Sequence, residues 1–190
     1  ARHAEAELLH RFGTPGQPAT SRPAPLQRVN FDALLLAALR DQAKKMGLFG
    51  YAIPQEWGGL GLDIAQDVEL AMELGYTSLA LRSMFGTNNG IAGQVLVGFG
   101  TDDQKARWLE PIASGEVVAS FALTEPGAGS NPSGLKTKAV ADGPEKDRAW
   151  VINGRKQYIT NAPVADLFIV FARTRPADAD GPGIAVFLVP

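Results

Sequence analysis

The stretch best equipped for chemistry runs Phe121-Ala122-Leu123-Thr124-Glu125-Pro126-Gly127-Ala128-Gly129-Ser130-Asn131-Pro132-Ser133-Gly134. An apolar run opens there into a loop dense in Gly and Pro. Glycines let backbone N–H groups converge on one point with no Cβ in the way, a concavity suited to phosphate oxygens. Ser130 adds a hydroxyl donor, and Thr124 stands where the strand opens, its hydroxyl free to address a ligand. Two other readings compete. A dinucleotide fingerprint requires a third glycine and a following helix, but Pro132 takes the glycine's place and no helical pattern follows. A surface turn without a ligand is the second, because Gly- and Pro-rich loops are common.

The elements that must position this loop fall into two halves. Over residues 30–112 the apolar period is helical. Asn30 is expected to cap a helix over 31–46, with Leu34, Leu35, Ala38 and Leu39 on one face and Gly47 as its stop. Asp63 with Gln66 reads as a second start, carried by Val68, Ala71 and Met72 to Gly75. Thr101 with Gln104 is a capping box opening a short helix through Leu109, which Pro111 should end. Two further apolar stretches, 78–85 and 91–97, flank Asn88-Asn89-Gly90, which reads as a helix break. Such helices joined by short loops imply a bundle.

After Gly115 the pattern changes to strands. Runs at 117–123, 136–140, 167–174 and 183–189 have β character. Trp150-Val151-Ile152, Asn153-Gly154 and residues 155–160 spell a hairpin with a type I′ turn. The expected fold is therefore α+β: a helical bundle in 1–115, then an antiparallel, barrel-like β domain in 116–190. Residues 174–182 read as an exposed loop and 13–25 as a lead-in.

Composition excludes several functions. The 190 residues are 45% apolar and 20% charged, with net charge −2, so a globular core is expected and no basic footprint for nucleic acid appears. Lys and Arg do not cluster, which argues against an anionic membrane surface, and no run of eighteen apolar residues exists for insertion. Cysteine is absent, and the two histidines, His3 and His10, lie near the start, so no metal site is expected. A reducing compartment and a cytoplasmic location are the corresponding expectations. The start lacks a hydrophobic signal core. The chain opens without Met and stops at Pro190 just after an apolar run, which suggests a fragment.

The loop resembles the acyl-CoA dehydrogenase signature at Ala122, Leu123, Thr124, Glu125, Ala128, Gly129, Ser130 and Gly134, and departs at Asn131, where the family has Asp. Asn131 keeps a side-chain carbonyl that can cap, so the geometry should survive without the charge. Three other blocks resemble the family in the same order: residues 54–62, residues 100–105 with Trp108 and Leu109, and residues 152–161. The resemblance implies an FAD cofactor. By position, Phe121, Leu123 and Thr124 would line the isoalloxazine edge, and Gly129 and Ser130 would meet the pyrophosphate, Ser130 also touching the CoA arm. Tyr158 would pack on the ring with Ile159 beside it, and Thr160 would donate toward N5. A donor there stabilises charge arriving with hydride. Tyr158 stands where the family often has Trp, and a half-buried hairpin aromatic is the plainer reading.

Met84, Thr87 and Ile91 match positions lining the acyl chain, although Met and Ile at helical spacing are more often core. Glu125 is not taken as the base, which in the family lies in a C-terminal helical domain that this chain lacks; Glu125 should instead order the loop. The resemblance implies α,β-dehydrogenation of an acyl-CoA thioester to 2-enoyl-CoA, as in fatty acid β-oxidation. It also implies an electron-transferring flavoprotein as acceptor and homo-oligomer assembly as dimer or tetramer. An acyl-CoA oxidase and a non-catalytic flavin- or acyl-CoA-binding module are the rivals. Without the base, these 190 residues alone should not turn over substrate; dehydrogenation by the isolated chain would refute that.

Overall fold

The computed structural model describes residues 25–77, 79–144, 149–176 and 183–190, with side chains in the first helix from Leu35 onward. His3, His10, most of the 13–25 lead-in and residues 177–182 of the expected loop lie outside them. Helices come first: α1 Pro25–Lys45, α2 Ile64–Leu74, α3 Leu79–Gly86, a π-helical turn Thr87–Gly93, α4 Gln94–Phe99 and α5 Asp102–Ser114. Strands follow: β1 Ala119–Ala122, β2 Lys138–Asp142, β3 Ala149–Asn153, β4 Leu167–Arg173 and β5 Ile184–Val189.

Both capping boxes form. Gln66 N donates to Asp63 Oδ1 at 2.9 Å while Asp63 N donates to Gln66 Oε1 at 3.0 Å, and Thr101 and Gln104 exchange the same pair of bonds. Two helix boundaries differ from expectation. Asn30 lies inside α1, which begins at Pro25, a residue whose fixed φ suits a first helical position. Pro111 does not end α5, which continues to Ser114. An interior proline costs about 3 kcal/mol. Full burial of Ile112 in the following turn returns roughly 1.5–3 kcal/mol, and Gly115, at φ 74, closes the helix in the left-handed conformation. A Cβ at Gly115 would stand 2.6 Å from the Phe49 ring, so glycine is required there on both counts.

The Asn88-Asn89-Gly90 segment is not a break. The chain stays helical through it as a π turn, and both asparagines are fully buried. Asn88 Nδ2 donates to the carbonyls of Ile112 (3.0 Å) and Val117 (2.9 Å), and its Oδ1 accepts from Ala119 N (2.9 Å). Asn89 Nδ2 donates to Leu48 O and Phe85 O, and its Oδ1 accepts from Ala52 N. The wide turn thus turns two amides inward to meet backbone that no helix or sheet satisfies.

The sheet is open and mixed, not a closed antiparallel barrel. Its order is β1-β4-β2-β3, with β5 also paired to β4. β4 pairs in parallel with β1 at Leu167–Val170 and with β2 at Arg173, and antiparallel with β5. Since a strand has two edges, β1 and β2 must share one edge of β4, end to end. Residues 123–137 are then an excursion from a single continuing edge. Alternating apolar residues mark a strand's existence, not its partner or direction, which is why parallel pairing was not foreseen. The sheet does curl: Trp150 on β3 and Phe187 on β5 bring their rings to 5.4 Å.

The expected 150–160 hairpin is also absent. β3 pairs with β2, and residues 155–160 form no strand. A type I′ turn requires positive φ at both central residues, and neither Asn153 nor Gly154 has it. Gly154 is instead needed for close packing, since a Cβ there would sit 2.2 Å from Thr137 Oγ1. Three buried clusters fill the interior: Phe49, Phe85 and Val118; Ile53, Leu109 and Leu167; and Ala92, Ala119 and Ile169 at the seam between helices and sheet.

Replacing Asn88 by Ala removes the partners of Val117 O and Ala119 N and one of the two donors to Ile112 O, which keeps the Gly115 amide. Each unsatisfied group costs about 1–3 kcal/mol. Urea denaturation of Asn88→Ala should show a loss of about 3 kcal/mol or more, and a loss under about 1 kcal/mol would contradict this role.

Candidate functional site

The excursion at 123–137 is closed at its base by Glu125. This carboxylate is 5% exposed. Its Oε2 accepts from Lys136 N at 2.6 Å, and its Oε1 accepts from Thr137 N at 3.0 Å and Lys156 Nζ at 2.8 Å. Burial would raise the carboxyl, but the Lys156 ammonium and the two amides outweigh it and hold Glu125 down at about 2. Glu125 thus orders the loop, as the sequence led us to expect. Within the loop, Glu125 N donates to Ala128 O and Ala128 N to Glu125 O, a tight turn through Pro126 and Gly127.

A second segment, 156–161, is bound to the first. Lys156 Nζ also donates to Leu123 O at 3.0 Å, Gln157 N to Thr124 O at 3.0 Å and Gln157 Nε2 to Glu125 O at 3.3 Å. Three residues further on, the Thr160 carbonyl accepts from Ser120 Oγ at 2.5 Å. Asn161 then donates to the carbonyls of Ser83 and Met84 on α3. The Thr124 and Thr160 regions are therefore neighbours, fixed to each other at both ends. Tyr158, between the Gln157 and Thr160 anchors, sits at φ 57, and Asn161, itself an anchor, at φ 64. Left-handed backbone costs a non-glycine residue about 1–3 kcal/mol and persists only where its surroundings impose it. Tyr158 is 88% exposed, so it is not the half-buried hairpin aromatic.

The remaining candidates divide. Gly129 and Ser130 are exposed on the loop, and Thr124 and Ile159 are half-buried beside the junction. Nothing lies within 4 Å of a Cβ built on Gly127 or Gly129, and neither has positive φ. The protein's own packing thus gives no reason for glycine at either place. Bare backbone facing open space fits a ligand that approaches closely, as a pyrophosphate would. Phe121 is on the other face of β1 from Ser120, packed against Phe171 at 4.8 Å between ring centroids. Asn131 makes no side-chain cap; its carbonyl accepts from Gly134 N instead.

Met84, Thr87 and Ile91 are not kept on one face. The first two are buried, whereas Ile91 is 43% exposed, because a π turn rotates less per residue than the α spacing that would align them. Two cavities, of about 310 and 340 Å³, lie elsewhere, one beside Phe99 and Leu188 and one beside Arg40 and Asp166. Lys156, Gln157 and Ser120 were missed as site-builders. Apart from the Lys156–Glu125 ion pair, their bonds run to backbone carbonyls, which leave no trace in residue type.

Family models match both halves of the chain: "Acyl-CoA dehydrogenase, N-terminal domain" over residues 27–116 and "Acyl-CoA dehydrogenase, middle domain" over residues 120–190. The chain belongs to the acyl-CoA dehydrogenase family. It is 38% identical over 157 residues to a (2S)-methylsuccinyl-CoA dehydrogenase of Cereibacter sphaeroides, covering 83% of this chain and 28% of that protein. A chain in a structure of the electron transferring flavoprotein of Acidaminococcus fermentans superposes with TM-score 0.72 at 34% identity, over 80% of this chain and 39% of that one. An acyl-CoA dehydrogenase from Bacillus anthracis complexed with FAD does so with TM-score 0.69 at 37% identity, over 80% and 25%. The chain thus spans little more than a quarter of its curated relative. Among these relatives, the FAD complex indicates FAD as the family's cofactor.

The lowered Glu125 carboxyl stabilises the fold fully above its unfolded value of 4.5, and the effect is lost as pH falls through about 2. That interval corresponds to about 3 kcal/mol. Stability measured in urea should fall across it, and Glu125→Gln should be less stable at pH 7 with a flatter acid limb. An identical acid limb in both proteins would contradict the assignment.

Proposed function

We propose that this chain is the N-terminal and middle part of an FAD-dependent acyl-CoA dehydrogenase. It would divide after residue 115 into a helical domain and a β domain. The whole enzyme would remove two hydrogens across Cα–Cβ of an acyl-CoA thioester, giving a 2-enoyl-CoA. The observation that carries this reading is the stitching of residues 123–125 to 156–157 and of Ser120 to Thr160, which sets two family-matching segments against each other. Family membership supplies the reaction class.

FAD, when bound, supplies the two-electron acceptor. The chain's own residues bind and orient. Gly129 and Ser130 would offer backbone and hydroxyl donors to the pyrophosphate. Thr124 and Thr160 would hold the ring from two sides, and Tyr158, already fixed with its ring exposed, would cover a face. Leu123 and Ile159 would complete the lining, and Phe121 would contribute from behind the strand by packing alone. Thr160's carbonyl accepts from Ser120, which fixes its backbone, and its hydroxyl would donate where negative charge develops. Met84, Thr87 and Ser130 would face the substrate, with Ile91 at the exposed margin. The α-proton base lies outside these residues. An electron-transferring flavoprotein as acceptor, homo-oligomeric assembly and a cytoplasmic setting complete the reading. Among the described residues no helix is long and apolar enough to cross a membrane.

The test is enoyl-CoA formation by the full-length protein from a panel of acyl-CoA thioesters, with an artificial electron acceptor and oxygen uptake followed in parallel. Product without oxygen uptake is expected. No product from any thioester would sink the reading, and stoichiometric oxygen uptake would turn it to an oxidase. Thr160→Val should lower kcat by about tenfold or more with KM little changed, as loss of a preplaced donor does; unchanged kcat would remove Thr160 from that role.

A further inference from the structure

A lysine side chain is a flexible four-carbon stem ending in a strongly hydrated charge, and it is rarely withdrawn from water without several acceptors. The Lys156 side chain is only 13% exposed. Its ammonium lies 3.0 Å from the Leu123 carbonyl and 2.8 Å from Glu125 Oε1. Both acceptors belong to the excursion after β1, whereas Lys156 belongs to the segment leaving β3. The nitrogen is therefore the bridge between two oxygens that repel each other without it. Glu125 is also held by the Lys136 and Thr137 amides, which tie it to the residues that lead into β2. One ammonium thus joins the beginning of the excursion, its end and the neighbouring segment.

What lies just beyond gives this bridge its use. Gln157 N reaches Thr124 O, and the next residue, Tyr158, is held at φ 57 with its ring out in solvent. An exposed aromatic gains nothing from burial that could offset left-handed backbone. The conformation must be imposed by its flanks, which are the Lys156–Gln157 anchor on one side and Ser120–Thr160 on the other. We propose that Lys156 is a positioning residue: through Leu123 O and Glu125 it sets the spacing of the Thr124 and Thr160 segments and holds Tyr158 in the conformation that presents its ring. This rests on the flavin reading for its purpose, but not for its geometry.

Amide hydrogen exchange on the 190-residue chain, wild type against Lys156→Met and Lys156→Arg, tests the geometry. The methionine variant keeps the stem and loses the charge. Its Gln157 amide should exchange about tenfold faster or more, with α5 and β4 amides unchanged. The arginine variant should restore most of the protection, since a guanidinium can donate to both oxygens. Protection at Gln157 unaltered in Lys156→Met, or exchange rising equally in α5 and β4, would overturn the proposal; the second result would make Lys156 a source of global stability only. In a parallel arm FAD is added and its visible spectrum followed. Lys156→Met should weaken the spectral change about tenfold and Lys156→Arg recover it. If wild type itself gives no spectral change, the flavin reading fails while the exchange result still decides whether Lys156 sets the two segments.

Discussion

The side-chain amide of Asn88 ties together three pieces of backbone: the end of α5 at Ile112, the link at Val117 and the first residue of β1 at Ala119. Its two donors and its acceptor are all used, and the residue is fully buried. A buried amide of this kind is nearly neutral when satisfied and costly when any partner is lost, so it fixes geometry more than it adds stability. Here it fixes where the sheet begins relative to the helices. Asn89 does the same on the other side of the π turn, holding the 48–52 loop against α3.

From that point the site is built by successive constraints. β1, once placed, lies parallel to β4 and leaves its edge at Ala122. β2 resumes the same edge at Lys138, so the intervening chain must bulge outward. Glu125 and Lys156 close the base of the bulge, and Ser120 binds the return segment at Thr160. The buried base lies against the seam of helix and sheet, whereas Gly127, Gly129 and Ser130 of the loop face open space and Ala128 turns inward. A binding surface of exposed loop on a braced base is a common arrangement, because loops can approach a ligand closely only where the scaffold beneath does not move.

Local chemistry was legible where one residue's side chain decides an element's end. Asp63 and Thr101 each announced a boundary that the fold respects. Pro111 misled because burial of Ile112 competes with the lost helical bond, and burial is a tertiary quantity. Asn153-Gly154 misled because a glycine needed for contact with Thr137 looks the same in sequence as one needed for positive φ. The two asparagines looked like a break since Asn disfavours helix interiors, and only the backbone around them shows why they are kept. For the site, the Gly- and Ser-bearing loop could be read from residue type, whereas the joining of Thr124 to Thr160 came from family resemblance alone. Spacing could not give it, because the bonds that join them run through carbonyls. The rotation that separates Ile91 from Met84 was likewise hidden, as the π turn depends on what Asn88 and Asn89 meet.

Two segments far apart in sequence, 123–125 and 156–160, are bound into one surface, and we propose that this surface serves one ligand. The most direct test is a two-dimensional NMR titration of the 190-residue chain with FAD, which registers even weak binding residue by residue. The account predicts that the amide signals of Thr124, Gly129 and Ser130 move together with those of Tyr158, Ile159 and Thr160 along one binding curve. Movement in only one of the two groups, or in neither up to the solubility limit of FAD, would contradict it.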